Sequence, residues 1–148
     1  GEPAEVGLAA EAAGADALVV ANTVLGMAVD IHSRKPRLGN IMGGISGPPI
    51  KPIALRMTYQ CARSVRIPVI GCGGVSTVED VLEYLIVGAS AVQVGTATFI
   101  NPSTMTTLVD QLSAWMQENG VDSLDQIIGT LRDDDVRESE QFMETVRR

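Results

Sequence analysis

Two short apolar runs, each ending in glycine, constrain this chain more than anything else in it. Pro68-Val-Ile-Gly-Cys-Gly-Gly-Val75 and Ala91-Val-Gln-Val-Gly-Thr-Ala-Thr-Phe99 are separated by a stretch with the spacing of an amphipathic helix. Strand, turn and helix repeated at this interval make a βα repeat, whose strands run parallel. Both glycine turns then open on the same edge of the sheet. Main-chain N–H groups at such turns, beside helix N-termini, form a ready anion site. In (β/α)8 barrels a phosphate site built from the loops after strands 7 and 8 recurs. Gly73, Gly74, Gly95 and Thr96 are therefore read as a phosphate grip. The competing reading is that these glycines serve only tight strand-to-helix turns.

The remaining elements follow the same rhythm. Pro3 to Ala13 is alanine-rich and predicts a helix with Val6, Ala9, Ala10 and Ala13 on its inner face, closed by Gly14. Ala17-Leu-Val-Val-Ala21 reads as a fully buried parallel strand ending at Asn22-Thr23. Met27, Val29 and Ile31 alternate with Ala28, Asp30 and His32, which predicts a strand excursion or hairpin arm, followed by glycine- and proline-rich loop to Gly47. Pro52 suits a first helical position, and Ile53, Met57, Cys61 and Val65 recur every four residues. Ile67 to Ile70 is the next strand. Ser76-Thr-Val-Glu79 predicts a capping box, with Val78, Val81, Leu82, Leu85 and Ile86 as the buried stripe behind it and Gly88 as the stop. Ala89 to Val94 is the third strand. Asn101-Pro102 predicts the start of a helix carrying Met105, Leu108, Val109, Leu112, Trp115 and Met116 inward, and Ser123 to Gln126 a second capping box for a short helix to about Leu131.

The class is therefore α/β, with about three parallel strands and flanking helices over residues 1–132, then a charged, weakly amphipathic tail over 133–148 that is expected to be helical. Three parallel strands cannot close a barrel, and their outer strands would present open edges. A small open sheet and part of an eight-stranded barrel both satisfy the pattern. The two glycine turns and the long loop after the first strand favour the barrel, and with it a longer parent protein.

Composition narrows the function classes. Apolar residues make up 45% of the 148 and aromatics only 3%, as expected of strands covered by helices on both sides. A net charge of −7 argues against a nucleic-acid or anionic-membrane surface. No apolar run approaches the roughly 18 residues of a membrane span. Cys61 and Cys72 lie in a predicted helix and a predicted turn, so two reduced thiols in a cytoplasmic protein are expected. With one histidine, His32, neither a His/His metal site nor a Ser–His pair can be assembled on any other residue.

Several polar residues stand where a ligand would lie. Asn22 and Thr23 end the first strand, where an amide and a hydroxyl can hold a polar planar ligand, or where Asn can cap its own backbone. Gly44-Ile-Ser-Gly47 before two prolines is either a ligand-covering loop or a stiff spacer. Lys51 is read as solvated, with an approach to an anion as the alternative. Arg34, Lys35 and Arg37 are read as a solvated loop tip, with an acidic partner as the alternative. Cys72 has no adjacent base or cation in sequence, so it is read as packing rather than as a nucleophile.

In order along the chain, Ala21-Asn-Thr23, Gly26-Met-Ala-Val-Asp30, Gly43-Gly-Ile-Ser-Gly-Pro48, Ile50-Lys-Pro-Ile-Ala-Leu-Arg56, Gly71-Cys-Gly-Gly74 and Val92-Gln-Val-Gly-Thr96 resemble the catalytic, FMN-containing subunit of class 1B dihydroorotate dehydrogenases. The resemblance runs from about Glu11 to Leu131 and looks like the C-terminal half of a TIM (β/α)8 barrel. It implies that Ala21, Gly47, Gly73, Gly74, Gly95 and Thr96 contact FMN, the last four at its phosphate. It implies that Asn22 and Thr23 contact the pyrimidine. The family reaction, in pyrimidine biosynthesis, oxidises (S)-dihydroorotate to orotate: a cysteine base takes a proton from carbon 5 while hydride passes from carbon 6 to the flavin. Electrons then reach NAD through a partner subunit carrying FAD and a [2Fe-2S] cluster, in a homo-oligomer or heterotetramer.

The family's base cysteine, flavin-contacting lysine and several substrate asparagines have no match here, and neither Cys61 nor Cys72 fits the base motif. No catalytic residue is therefore expected in this chain, which alone should be inactive. Two other readings share these motifs: a flavin barrel acting on uracil-type pyrimidines, as in dihydropyrimidine dehydrogenase, and a non-catalytic phosphate-ligand module.

Overall fold

The computed structural model of the chain describes residues 2–132. In chain order its elements are α1 (Pro3–Ala12), β1 (Leu18–Val20), β2 (Val24–Met27), β3 (Val29–Asp30), β4 (Lys35–Pro36), β5 (Met42–Ile45), α2 (Lys51–Ala62), β6 (Val69–Cys72), α3 (Val78–Ile86), β7 (Ala91–Gln93), α4 (Thr96–Ile100) and α5 (Thr104–Glu118). Short 3-10 turns occupy Pro48–Ile50 and Leu124–Gln126. The tail expected to be helical from Asp133 lies outside the described residues.

The sheet has the order β1-β6-β7, all parallel, with Val20 opposite Gly71 and Cys72 opposite Gln93. The three expected core strands are there. Side chains alternate across each strand, so Leu18, Val20, Val69 and Val92 turn toward the packed helices. Val19, on the opposite face, is exposed. Two expectations are corrected here. The first strand is not fully buried, and among the described residues helices cover one face of the sheet rather than both.

The helices follow the predicted places, but two of the predicted stripes are turned. In α1 the buried residue is Gly7, while Val6 and Ala9 are exposed. A Cβ on Gly7 would lie 3.2 Å from Leu18 and 3.3 Å from Val65, so the helix approaches through its smallest residue. In α2 Cys61 is buried as expected, but the other buried positions are Ala54 and Thr58, one step round from the expected Ile53 and Met57. Thr58 can be buried because its hydroxyl donates to Ala54 O at 2.9 Å and lies 3.3 Å from Val20 O, tying α2 to the end of β1. Glu11 ties α1 to the approach of β6 by accepting from the Arg66 and Ile67 amides at 2.8 and 3.1 Å.

The N-terminus of α3 is shifted by one residue from its predicted box. Thr77 Oγ1 accepts from Asp80 N, and the Asp80 carboxylate accepts from Thr77 N, so the pair is Thr77 with Asp80 rather than Ser76 with Glu79. Val81, Leu82 and Leu85 are buried as expected, joined by Tyr84, which the predicted stripe omits. These residues form the main core with Ala54, Val75, Ala89, Leu108 and Ile127.

Asn101 accepts from Ser103 N at 3.1 Å, but α5 begins only at Thr104, after the unpredicted short helix α4. Of the apolar α5 stripe only Leu108 is fully buried, and Met105 and Val109 are exposed. At Ser123 the expected box yields a single 3-10 turn. Ser123 Oγ accepts from Asp125 N, and Gln126 Oε1 accepts from Asp122 N rather than from Ser123 N.

The excursion after β1 is two antiparallel ribbons, β2 with β5 and β3 with β4. Strands β4 and β5 fall in what the sequence reads as loop, because Pro36, Gly43 and Gly44 are weak strand formers. The ribbon leaves the carboxyl end of β1 at Thr23 and returns at Ser46.

Candidate functional site

The carboxyl ends of β1, β6 and β7 share one open cleft. β1 contributes Ala21 and Thr23, the returning ribbon Ser46 and Gly47, the turn after β6 Cys72 to Ser76, and the turn after β7 Gly95, Thr96 and Ala97. Seven of the eight sequence-predicted site residues thus line it: Ala21, Thr23, Gly47, Gly73, Gly74, Gly95 and Thr96. Asn22 does not; it borders a groove on the α1 side, and its Oδ1 accepts from the Thr23 amide at 2.7 Å. The strand ends are held together by the Ala21 amide, which donates to Cys72 O at 2.8 Å.

The turn after β6 is made possible by glycine. Gly73 and Gly74 have φ of 142° and 72°, conformations that side chains resist. A Cβ on Gly74 would stand 2.8 Å from Gly47 O and 3.0 Å from Lys51 N, so two loops from different parts of the sequence pass in direct contact there. Across the cleft, Thr96 Oγ1 donates to Ser46 Oγ at 2.7 Å. At Gly95 a Cβ would meet nothing within 4 Å, which leaves open room at the start of α4.

Among the described residues no charged side chain lines the cleft. Lys51, expected to be solvated, is instead engaged by two carboxylates: its Nζ lies 2.7 Å from Asp80 Oδ1 and 3.0 Å from Glu83 Oε1. The other Asp80 oxygen accepts from Ser76 N at 2.8 Å, Ser76 Oγ at 3.0 Å and Thr77 N at 2.9 Å. Burial alone would raise the Asp80 carboxyl, but the Lys51 ammonium and the Ser76 and Thr77 donors outweigh it and hold it at about 2. Lys51 is raised in turn, chiefly by its hydrogen bond to Asp80. Beneath the turn, the buried Tyr84 hydroxyl donates to Gly73 O at 2.7 Å, and burial raises its phenol.

Sequence reasoning missed Ser46, Asp80 and Tyr84 and misread Lys51. A signal for Asp80 was present, since Thr77-Val-Glu-Asp80 is a second capping frame overlapping the first. Nothing local marks Tyr84 or the Lys51 pairing, which join residues 11 to 32 positions apart.

A cleft of this kind suits a phosphorylated ligand. Main-chain amides and two hydroxyls can surround an anion, and the mostly apolar floor can take an organic body. Residues 2–116 match the family described as dihydroorotate dehydrogenase. The chain belongs to that family. Dihydroorotate dehydrogenase B (NAD(+)), catalytic subunit, from Trichlorobacter lovleyi is 50% identical over 127 residues, which is 86% of this chain and 42% of that protein. The protein of the same name from Pelobacter propionicus is 52% identical over 119 residues, 80% of this chain and 39% of that one. The chain thus spans about two fifths of the length of the curated relatives it matches.

The crystal structure of DHODH from Eimeria tenella in complex with ferulenol superposes with a TM-score of 0.70 at 24% identity, covering 86% of this chain and 34% of that one. That likeness establishes the fold: the three parallel strands and their helices are part of a TIM (β/α)8 barrel. As in dihydroorotate dehydrogenases generally, a flavin is the implied cofactor. Among the described residues no helix is long and apolar enough to cross a membrane.

Proposed function

We propose that this chain supplies the phosphate-binding part of an FMN site in an enzyme that oxidises (S)-dihydroorotate to orotate, a step of pyrimidine biosynthesis. The observation that carries the reading is the meeting of Gly47, Gly73, Gly74, Gly95 and Thr96 around one cleft without charged side chains. The phosphate of FMN would be held by main-chain amides at Gly73, Gly74 and Gly95 and by the Thr96 hydroxyl, with Ala21 and Gly47 against the ring system. Flavin, when bound, would supply the two-electron acceptor for the oxidation. Thr23, on the cleft wall, offers a hydroxyl to the pyrimidine, while Asn22 lies on the α1 side of the strand end. The base that takes the substrate proton is assigned to a part of the protein beyond this chain.

The designation of the Trichlorobacter and Pelobacter relatives as NAD(+)-type catalytic subunits supports an assembly with a further subunit and NAD; in this reading that subunit carries FAD and a [2Fe-2S] cluster and passes the electrons to NAD in the cytoplasm. The test uses both the 148-residue chain and the polypeptide of its complete reading frame. The complete polypeptide should retain FMN and convert dihydroorotate in preference to dihydrouracil. The 148-residue chain should bind FMN weakly and turn over neither. Failure of the complete polypeptide to oxidise dihydroorotate overturns the assignment. A preference for dihydrouracil would move it to the uracil-type flavin barrels, and tight FMN binding without electron transfer would make it a binding module.

A further inference from the structure

We propose that Lys51 and Asp80 are positioning residues for the anion end of the cleft, a cross-brace that keeps the Gly73–Gly74 turn seated against the Gly47 loop. The inference rests on the reading of that end as a flavin phosphate site. One carboxylate joins three pieces of chain. Its Oδ1 takes the Lys51 ammonium from the first residue of α2, directly after the Gly47-Pro-Pro-Ile turn. Its Oδ2 takes Ser76 N, Ser76 Oγ and Thr77 N from the far side of the glycine turn. Between these two anchors, Gly74 passes so close to Gly47 O and to the Lys51 backbone that no Cβ fits.

The consequence is specific to an anion. Glycine turns are conformationally free in the unbound state, and amides that must converge on one phosphate lose affinity if they have to be ordered on binding. The brace fixes them beforehand. It also keeps Lys51, the one ammonium near the turn among the described residues, occupied by Asp80 and Glu83, so the phosphate is met by oriented amide dipoles rather than by a mobile cation.

The test compares K51M, D80N and K51R in the polypeptide of the complete reading frame. FMN and riboflavin, which differ only in the phosphate, are titrated by flavin fluorescence. Amide exchange across residues 73–77 is followed without flavin. K51M and D80N should exchange faster there and bind FMN about tenfold more weakly, the scale of one charge-assisted bond. Riboflavin affinity should stay within about twofold, the scatter of uncoupled sites, and K51R should recover most of the FMN affinity.

Parallel loss of FMN and riboflavin would overturn the proposal, as would wild-type exchange and FMN affinity in folded variants. So would a gain of FMN affinity in D80N, which would mean that the freed ammonium serves the phosphate better. If D80N does not fold, K51M decides, because it leaves the Ser76 and Thr77 donors on Asp80. If the unmutated protein binds FMN no better than riboflavin, the flavin-phosphate reading fails on its own. The exchange measurement then still decides whether the brace orders the turn.

Discussion

The Tyr84 hydroxyl reaches out of the core to the Gly73 carbonyl oxygen, at 2.7 Å, from a side chain with no solvent exposure. Its ring lies where a Cβ on Gly71 would fall. One aromatic residue therefore sets the height of the last strand residues and the pitch of the turn that follows them.

Tyr84→Phe keeps the ring and strands the Gly73 carbonyl. The expected loss is about 1 kcal/mol of folding stability, read as a lower urea midpoint with an unchanged slope. Tyr84→Ala removes the ring as well, and the expected cost is about 3–5 kcal/mol.

Gly95 and Gly74 should answer alanine in opposite ways. Gly95 has φ of −113° and free space at its Cβ position, so Gly95→Ala should fold with near-wild-type stability and lower FMN affinity by filling that space. At Gly74, φ of 72° and the contact with Gly47 O mean that Gly74→Ala should lower stability first. Thermal unfolding and FMN titration on both variants separate the two effects.

Acid should act through Asp80. Its folded value of about 2 lies below the ordinary 3.8, so its contribution is complete above about pH 4 and lost as pH falls toward 2. Allowing for solvent screening, that contribution is about 1–2 kcal/mol. Lys51 is displaced upward, so its contribution holds below its ordinary 10.5 and is lost as pH rises through the raised value. D80N should flatten the acid limb of a stability–pH curve between pH 4 and 2; an unchanged limb would remove Asp80 from the account.

The two thiols should react at different rates. Cys61 is buried in the α1–α2 core, with its thiol raised by burial and its Sγ 3.3 Å from Pro3 O. Cys72 is partly exposed on the cleft wall. A maleimide should label Cys72 first, and FMN should protect it, with mass spectrometry reporting the site. Faster labelling of Cys61 would contradict the packing described for α1.

Much of the architecture was legible because parallel strands and capped helices leave local marks. Val69 to Cys72 and Ala91 to Gln93 are short apolar runs stopped by glycine, and the turns that follow them line the cleft as expected. What sequence could not reveal was set by distant partners. Thr58 is buried because a carbonyl four residues back and the end of β1 receive its hydroxyl. Lys51 is bound rather than solvated because α3 brings two carboxylates to it. Apolar periodicity alone put Val6 on the inner face of α1, where contact is instead made by Gly7, the residue allowing closest approach. The Met105 and Val109 stripe of α5 reads as core in sequence, yet among the described residues nothing buries it.

The ribbon between β1 and α2 begins and ends at one neck, where Val24 stands opposite Ile45. Because its two roots are already adjacent, the segment beyond them can lengthen, shorten or be exchanged with little loop-closure penalty. What the protrusion meets can therefore change while the glycine turns below it stay untouched.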